Sequence, residues 1–205
     1  MKTNRSGDIT GYEIRSTATG VLFMAIFGML WAYTGTMGLQ GWGEVTLLLL
    51  TAAIGITLVI GGISLIRSSR LIQQQVPALN GKSKKKTMRL FNFIFVGEGI
   101  AIGIAISICN ITHHIELIPL IIAIIVGIHF FPLASLFRIN IYYYSGVLLC
   151  LIAILTWLFI PETIHIAGHP IMAFMSVVGF GSAIILWITS LFILRMGKTL
   201  LTLAS

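Results

Sequence analysis

Long apolar runs, separated by short polar connections, dominate the chain from residue 17 onward. Six runs reach the length that a helix needs to cross a ~30 Å hydrocarbon core, which takes roughly 20 residues: about 17 to 39, 45 to 66, 90 to 111, 117 to 137, 141 to 160 and 170 to 194. None alternates with period two as a barrel strand would. In lipid a spanning backbone has to satisfy its own hydrogen bonds, so these runs predict an all-α polytopic bundle of six transmembrane helices in a single membrane domain, residues 1 to 205.

Two of the runs carry interruptions with chemical content. The run 90 to 111 holds Glu98, the only acidic residue inside any apolar segment, flanked by Gly97 and Gly99. Gly99 and Gly103 have the GxxxG spacing of close helix contacts, and Glu98, Ala101, Ala105 and Cys109 share one small-residue stripe. A charged group at bilayer depth costs at least ~2.5 kcal/mol, so this stripe should face other helices or a cavity. The run 117 to 137 holds His129 and Pro132. Proline cannot donate to the carbonyl four residues back, at Ile128, so a kink is expected where His129 sits.

Glu98 and His129 each lie eight positions from the inner end of their runs, roughly 12 Å at ~1.5 Å per residue. Consecutive helices on a short loop are usually antiparallel neighbours, so the two side chains are expected at one depth and within reach of each other. Burial opposes charge on both groups and pairing favours it, which makes the pair a candidate proton switch. The alternative is a polar tie between two helices, worth ~0.6 kcal/mol. Asn92 and Trp187 are weaker candidates for the same substrate- or proton-binding space.

Composition agrees with the pattern: 57% of residues are hydrophobic and 9% charged, and the mean hydropathy is +1.01. An ordinary soluble domain is excluded. The net charge of +7 would suggest nucleic acid in a soluble protein, but its placement gives another reason. All 13 Lys and Arg residues fall before the first run, in 67–89, at Arg138, or after the sixth run. By the positive-inside rule both termini are then cytoplasmic. Residues 67–89 form a basic cytoplasmic loop that Pro77, Asn80 and Gly81 should keep from being one helix. Its Lys82, Lys84, Lys85 and Lys86 set topology and are candidates to hold anionic lipid headgroups. No aromatic platform is interleaved with them, which argues against nucleic acid.

The polar first sixteen residues and the absence of a small-residue cleavage pattern make the first run a retained helix. Aromatics at its outer end, Trp31, Tyr33 and Trp42, and the Tyr142–Tyr144 run at the inner end of the fifth segment, read mainly as headgroup anchors, with one tyrosine able to turn inward. Cys109 and Cys150 differ in depth, so a disulfide is not expected.

Outside the membrane, His113, His114 and Glu116 lie in one short connection and Glu162, His165 and His169 in another. Imidazole and carboxylate suit transition metals, and His165 and His169 would share a face if the segment were helical. Gly168 and Pro170 argue against that helix, so no metal is favoured and no cofactor is expected. The chain contains no HExxH, GxSxG, Walker lysine loop or dinucleotide fingerprint. An enzyme is accordingly less favoured than small-solute or proton-coupled transport. A non-catalytic packing or assembly subunit, homo-oligomeric through the glycine-bearing faces of the third and sixth helices, is the alternative; a metal-dependent membrane enzyme ranks third.

The stretch Gly127-Ile-His-Phe-Phe-Pro-Leu-Ala, with Tyr142-Tyr143-Tyr144-Ser-Gly146 and the upstream Glu98, resembles an uncharacterised family of small bacterial six-helix membrane proteins. The resemblance implies the same fold and a place in the bacterial plasma membrane. It brings no activity with it.

Overall fold

The computed structural model describes residues 11–73, 81–166 and 168–204, with side chains described for 17–68, 87–166 and 168–202. Six helices follow in order: α1 (Gly11–Met37), α2 (Glu44–Gln73), α3 (Gly81–Ile111), α4 (Ile118–Phe137), α5 (Ile141–Phe159) and α6 (Ala173–Ala204). All six are long and apolar enough to cross a membrane, which are the marks of a multi-pass membrane protein. Several outrun their apolar segments. Hydropathy records the thickness of a lipid phase, whereas backbone hydrogen bonding carries a helix on into polar sequence.

That difference corrects the expected loop at 67–89. Arg67–Gln73 belong to α2 and Gly81–Arg89 to α3, so much of the basic segment is helical backbone. Pro77 and Asn80 lie outside the described residues, as do the side chains of Lys82, Lys84, Lys85 and Lys86.

A second difference lies between α5 and α6. Thr163–Ile166 (β1) and His169–Met172 (β2) form an antiparallel hairpin in place of the expected start of the sixth span. Thr163, Ile164 and Ile166 are β-branched, and Gly168 takes φ +85°, a turn conformation that glycine adopts without a Cβ penalty. The hairpin is tied down by the Met172 N–H, which donates to Gly38 O at 2.8 Å, and by the Ala173 N–H, which donates to Glu162 O at 2.8 Å.

The helix pairs are unequal. α1 and α6 form the central pair and α2 packs on both, while α4 packs on α5, and α4 and α5 both reach α6. α3 leans on α4 alone at backbone range. It is also the least buried of the spans.

Two glycine pairs set the close crossings. A Cβ on Gly179 would collide with the Gly35 backbone, and one on Gly127 would stand 2.5 Å from Cys150 Sγ and 2.8 Å from Gly146 O. Without side chains these backbones approach closely, which strengthens packing where lipid tails supply no hydrophobic drive. Gly179 and Gly181 therefore face neighbours in the same chain, so the glycine face of α6 is not free for the expected oligomer contact. Gly97, Gly99 and Gly103 are the reverse case. A Cβ on any of them meets nothing within 4 Å among the described residues, so the GxxxG spacing on α3 seats none of the described helices.

Hydroxyls supply the polar ties. Ser145 Oγ and Thr189 Oγ1 share a buried hydrogen bond of 2.7 Å between α5 and α6, and Ser190 Oγ donates to Val21 O at 3.1 Å between α6 and α1. Thr51 and Thr57 donate to carbonyls a turn back in α2.

Candidate functional site

The packing of α3 on α4 brings together two ionisable groups that interrupt apolar helices. His129 Nδ1 lies 3.1 Å from Glu98 Oε1, and the side chains are only 14% and 8% exposed. The distance is that of an ion pair, but Nδ1 lies off the line that a hydrogen bond requires and is buried without a directed partner. Such an atom costs about 1–3 kcal/mol while it stays unsatisfied. A proton, a water or a ligand atom that bridges imidazole and carboxylate removes that cost.

The local sequence accounts for both positions. On α3 the stripe of Glu98, Ala101, Ala105 and Cys109 is the less exposed side, as its small residues require, while the flanking glycines turn outward. On α4 the helix continues as one element through Pro132, which lacks the N–H that would reach the Ile128 carbonyl. His129 sits one residue beyond that carbonyl. The imidazole rests on the Phe130 ring, with centroids 4.8 Å apart.

The pair opens into a cavity of about 380 Å³ bounded by α1, α3 and α4 and closed by the starts of α5 and by Leu186 of α6. This is the size of a small-molecule site. Its walls are aromatic. Phe23 of α1 meets Phe91 and Phe95 of α3 edge-on at 6.0 and 5.9 Å, and Phe27 meets Phe95 at 6.3 Å. α1 and α3 thus touch through rings while their backbones stand apart. Toward the inner end, Phe137 meets Phe91 at 5.9 Å and Tyr142 at 6.4 Å. Tyr142 is the inward tyrosine, 4% exposed, and its hydroxyl fills the notch left by Gly20.

The structure distributes the other sequence candidates differently. Asn92 is on the exposed side of α3 and does not line the cavity. Trp187 is buried against Gly28, outside it, and leaves its Nε1 without a partner. Helical phase explains both: Leu186, one residue earlier, is the α6 side chain that reaches the cavity. Trp31, read as a headgroup anchor, is 7% exposed and belongs to the core, whereas Tyr33 and Trp42 are exposed.

Sequence reasoning missed the phenylalanine wall. The signal was present in Phe23/Phe27 and Phe91/Phe95, two i, i+4 pairs that each place two rings on one helix face.

The outer histidines are not assembled. His165 stands opposite Pro170 and Ile166 opposite His169, so strand alternation puts His165 and His169 on opposite faces of the hairpin. This corrects the shared face that a helix would have given. His114 Nδ1 pairs locally with Glu116 Oε1 at 2.9 Å, and His113 takes a left-handed turn conformation, φ 59°. Among the described residues no three of these ligand types come together to hold a metal, Glu162 included. Cys109 and Cys150 are both unbridged.

No family model, curated protein or solved structure matches the chain.

Proposed function

We propose that this chain is a multi-pass protein of the bacterial plasma membrane, with both termini cytoplasmic, that binds a small solute in the α1/α3/α4 cavity and couples its movement to a proton held by Glu98 and His129. One observation carries the reading: the buried imidazole and carboxylate meet at 3.1 Å on the wall of a cavity large enough for a ligand. A paired acid and histidine inside an apolar bundle is costly to keep and is typical of proton relays and substrate paths. The location rests on the segregation of all 13 basic residues to one set of connections and on the family resemblance of the Gly127–Ala134 motif. Lys82, Lys84, Lys85 and Lys86 would then sit where anionic headgroups are available.

The test places a thiol on the cavity wall. In a background where Cys109 and Cys150 are replaced by alanine, Leu133→Cys in proteoliposomes should react with a small thiol reagent at a rate whose pH dependence exceeds the one that a free thiol's own ionisation gives. Glu98→Gln should remove that excess, and His129→Ala should act in the same way. A thiol that never reacts, or a rate unchanged by Glu98→Gln, would discard the proposal.

A second reading has its own observation. The outward glycines of α3 meet nothing among the described residues, and a close helix partner from a second copy would fit there. Under this reading the chain is an assembly subunit. Gly99→Leu would then shift the oligomer mass in detergent to that of a monomer, while a single unchanged mass would reject it.

A further inference from the structure

Resting on that solute-binding reading, we propose that the cavity's ligand is a lipophilic organic monocation, which exchanges for the proton shared by Glu98 and His129. Three features of the wall specify the class. First, among the described residues the lining includes one carboxylate, from Glu98, and no lysine or arginine. Second, the surrounding surface is aromatic, with Phe23, Phe27, Phe91, Phe95 and Phe137 arranged around it. Ring faces attract a cation through their quadrupole, most strongly where water is excluded. Third, the volume of about 380 Å³ suits a ligand of a few rings and is far more than a metal ion or a proton needs.

Charge balance gives the exchange. Among the described residues, the titratable groups on the wall are Glu98 of α3, His129 of α4 and the Tyr142 phenol of α5. One proton on the Glu98–His129 pair leaves it with no net charge, whichever of the two holds it. When that proton departs to water the pair carries one negative charge, and a buried charge without a partner is strongly disfavoured. A bound monocation restores neutrality. A neutral phenol or ketone would satisfy His129 Nδ1 but would leave the deprotonated carboxylate uncompensated, so hydrogen-bonding ligands are second best. The rings that close α1 against α3 lie on the side where the backbones do not pack. Rotation of Phe23 and Phe95 therefore offers a sideways entrance from lipid, where such cations concentrate.

The experiment titrates methyltriphenylphosphonium into the full-length protein in nanodiscs by calorimetry, in two buffers of different ionisation enthalpy. The neutral isostere triphenylphosphine oxide is the comparison. The cation should bind at least tenfold more tightly than the oxide and release about one proton per cation. Glu98→Gln should abolish proton release and weaken the cation at least tenfold while leaving the oxide unchanged. Phe95→Leu should weaken the cation severalfold with proton release intact, which guards against a Glu98→Gln variant that fails to fold. Equal binding of oxide and cation, or cation binding without proton release, overturns the proposed class. Failure of both probes, with the Leu133→Cys rate still exceeding the pH dependence of a free thiol, overturns the class while the solute reading stands. Failure of both with an unreactive Leu133→Cys overturns both.

Discussion

Glu98 and His129 form a contact that neither residue could make alone at acceptable cost. A lone carboxylate or imidazole in hydrocarbon is costly, and here the two stand 3.1 Å apart with only 8% and 14% of their side chains exposed. If the contact were only a tie between α3 and α4, replacing Glu98 by Gln would cost about 0.6 kcal/mol, in line with other interhelical hydrogen bonds. Thermal unfolding in detergent measures this term separately from the labelling assay. A small loss of stability together with complete loss of the labelling rate's excess pH dependence over a free thiol is the expected result. A large loss of stability with unchanged labelling would assign the pair to packing. The buried Ser145–Thr189 bond gives a contrast at the same scale. Thr189→Val should lower stability by ~0.6 kcal/mol and leave the labelling of Leu133→Cys untouched, because it removes a tie whose two residues do not line the cavity.

At the scale of elements, close helix crossings and the open α3 edge make opposite predictions for glycine. Gly179→Ala puts a methyl group into the Gly35 backbone, and overpacking of this kind costs about 1–3 kcal/mol. Gly103→Ala puts the same methyl into open space. Its stability should stay within ~0.5 kcal/mol of wild type or rise, since alanine is the better helix former. Unfolding curves of the two variants, measured side by side, check the packing order without reference to function. The glycine spacings themselves do not distinguish the cases, because a GxxxG pattern records which residues are small and says nothing of whether a neighbour is present. The hairpin shows the same limit. Thr163–Ile166 and His169–Met172 adjoin a span and share its apolar character, and it takes the bond from Met172 N–H to Gly38 O to show that they join the end of the bundle where α1 stops.

For the whole molecule, the basic residues provide a prediction independent of the cavity. With all 13 on one set of connections, reporter fusions at residue 205 should be active only as cytoplasmic reporters, and fusions in the 163–172 hairpin only as external ones. An enzyme reporter that folds on just one side of the membrane reads the outcome. Neutralising Lys82, Lys84, Lys85 and Lys86 together should weaken that bias and yield a mixed population, since orientation follows Lys and Arg in short connections.

The sequence by itself determined the all-α class, the six helices long and apolar enough to cross a membrane, and which ionisable residues interrupt them, because each depends on local properties: apolar length against bilayer thickness, and the polarity of single side chains. Glu98 and His129 were legible for that reason, as single polar residues in long apolar runs whose equal distance from the membrane edge needs only the rise of a helix. The tertiary structure decided what depth cannot encode, which is azimuth. Rotation about each axis puts Leu186 rather than Trp187 on the cavity, turns Tyr142 inward and Asn92 outward, and joins the phenylalanines of α1 and α3 into one wall. In a bundle surrounded by lipid both sides of a helix are apolar, so periodicity gives little sign of which side is inside. Steric fit at the Gly35/Gly179 and Gly127/Gly146 crossings sets the rotations of α1 against α6 and of α4 against α5, while ring contacts with Phe23 and Phe27 set the α3 side of the wall.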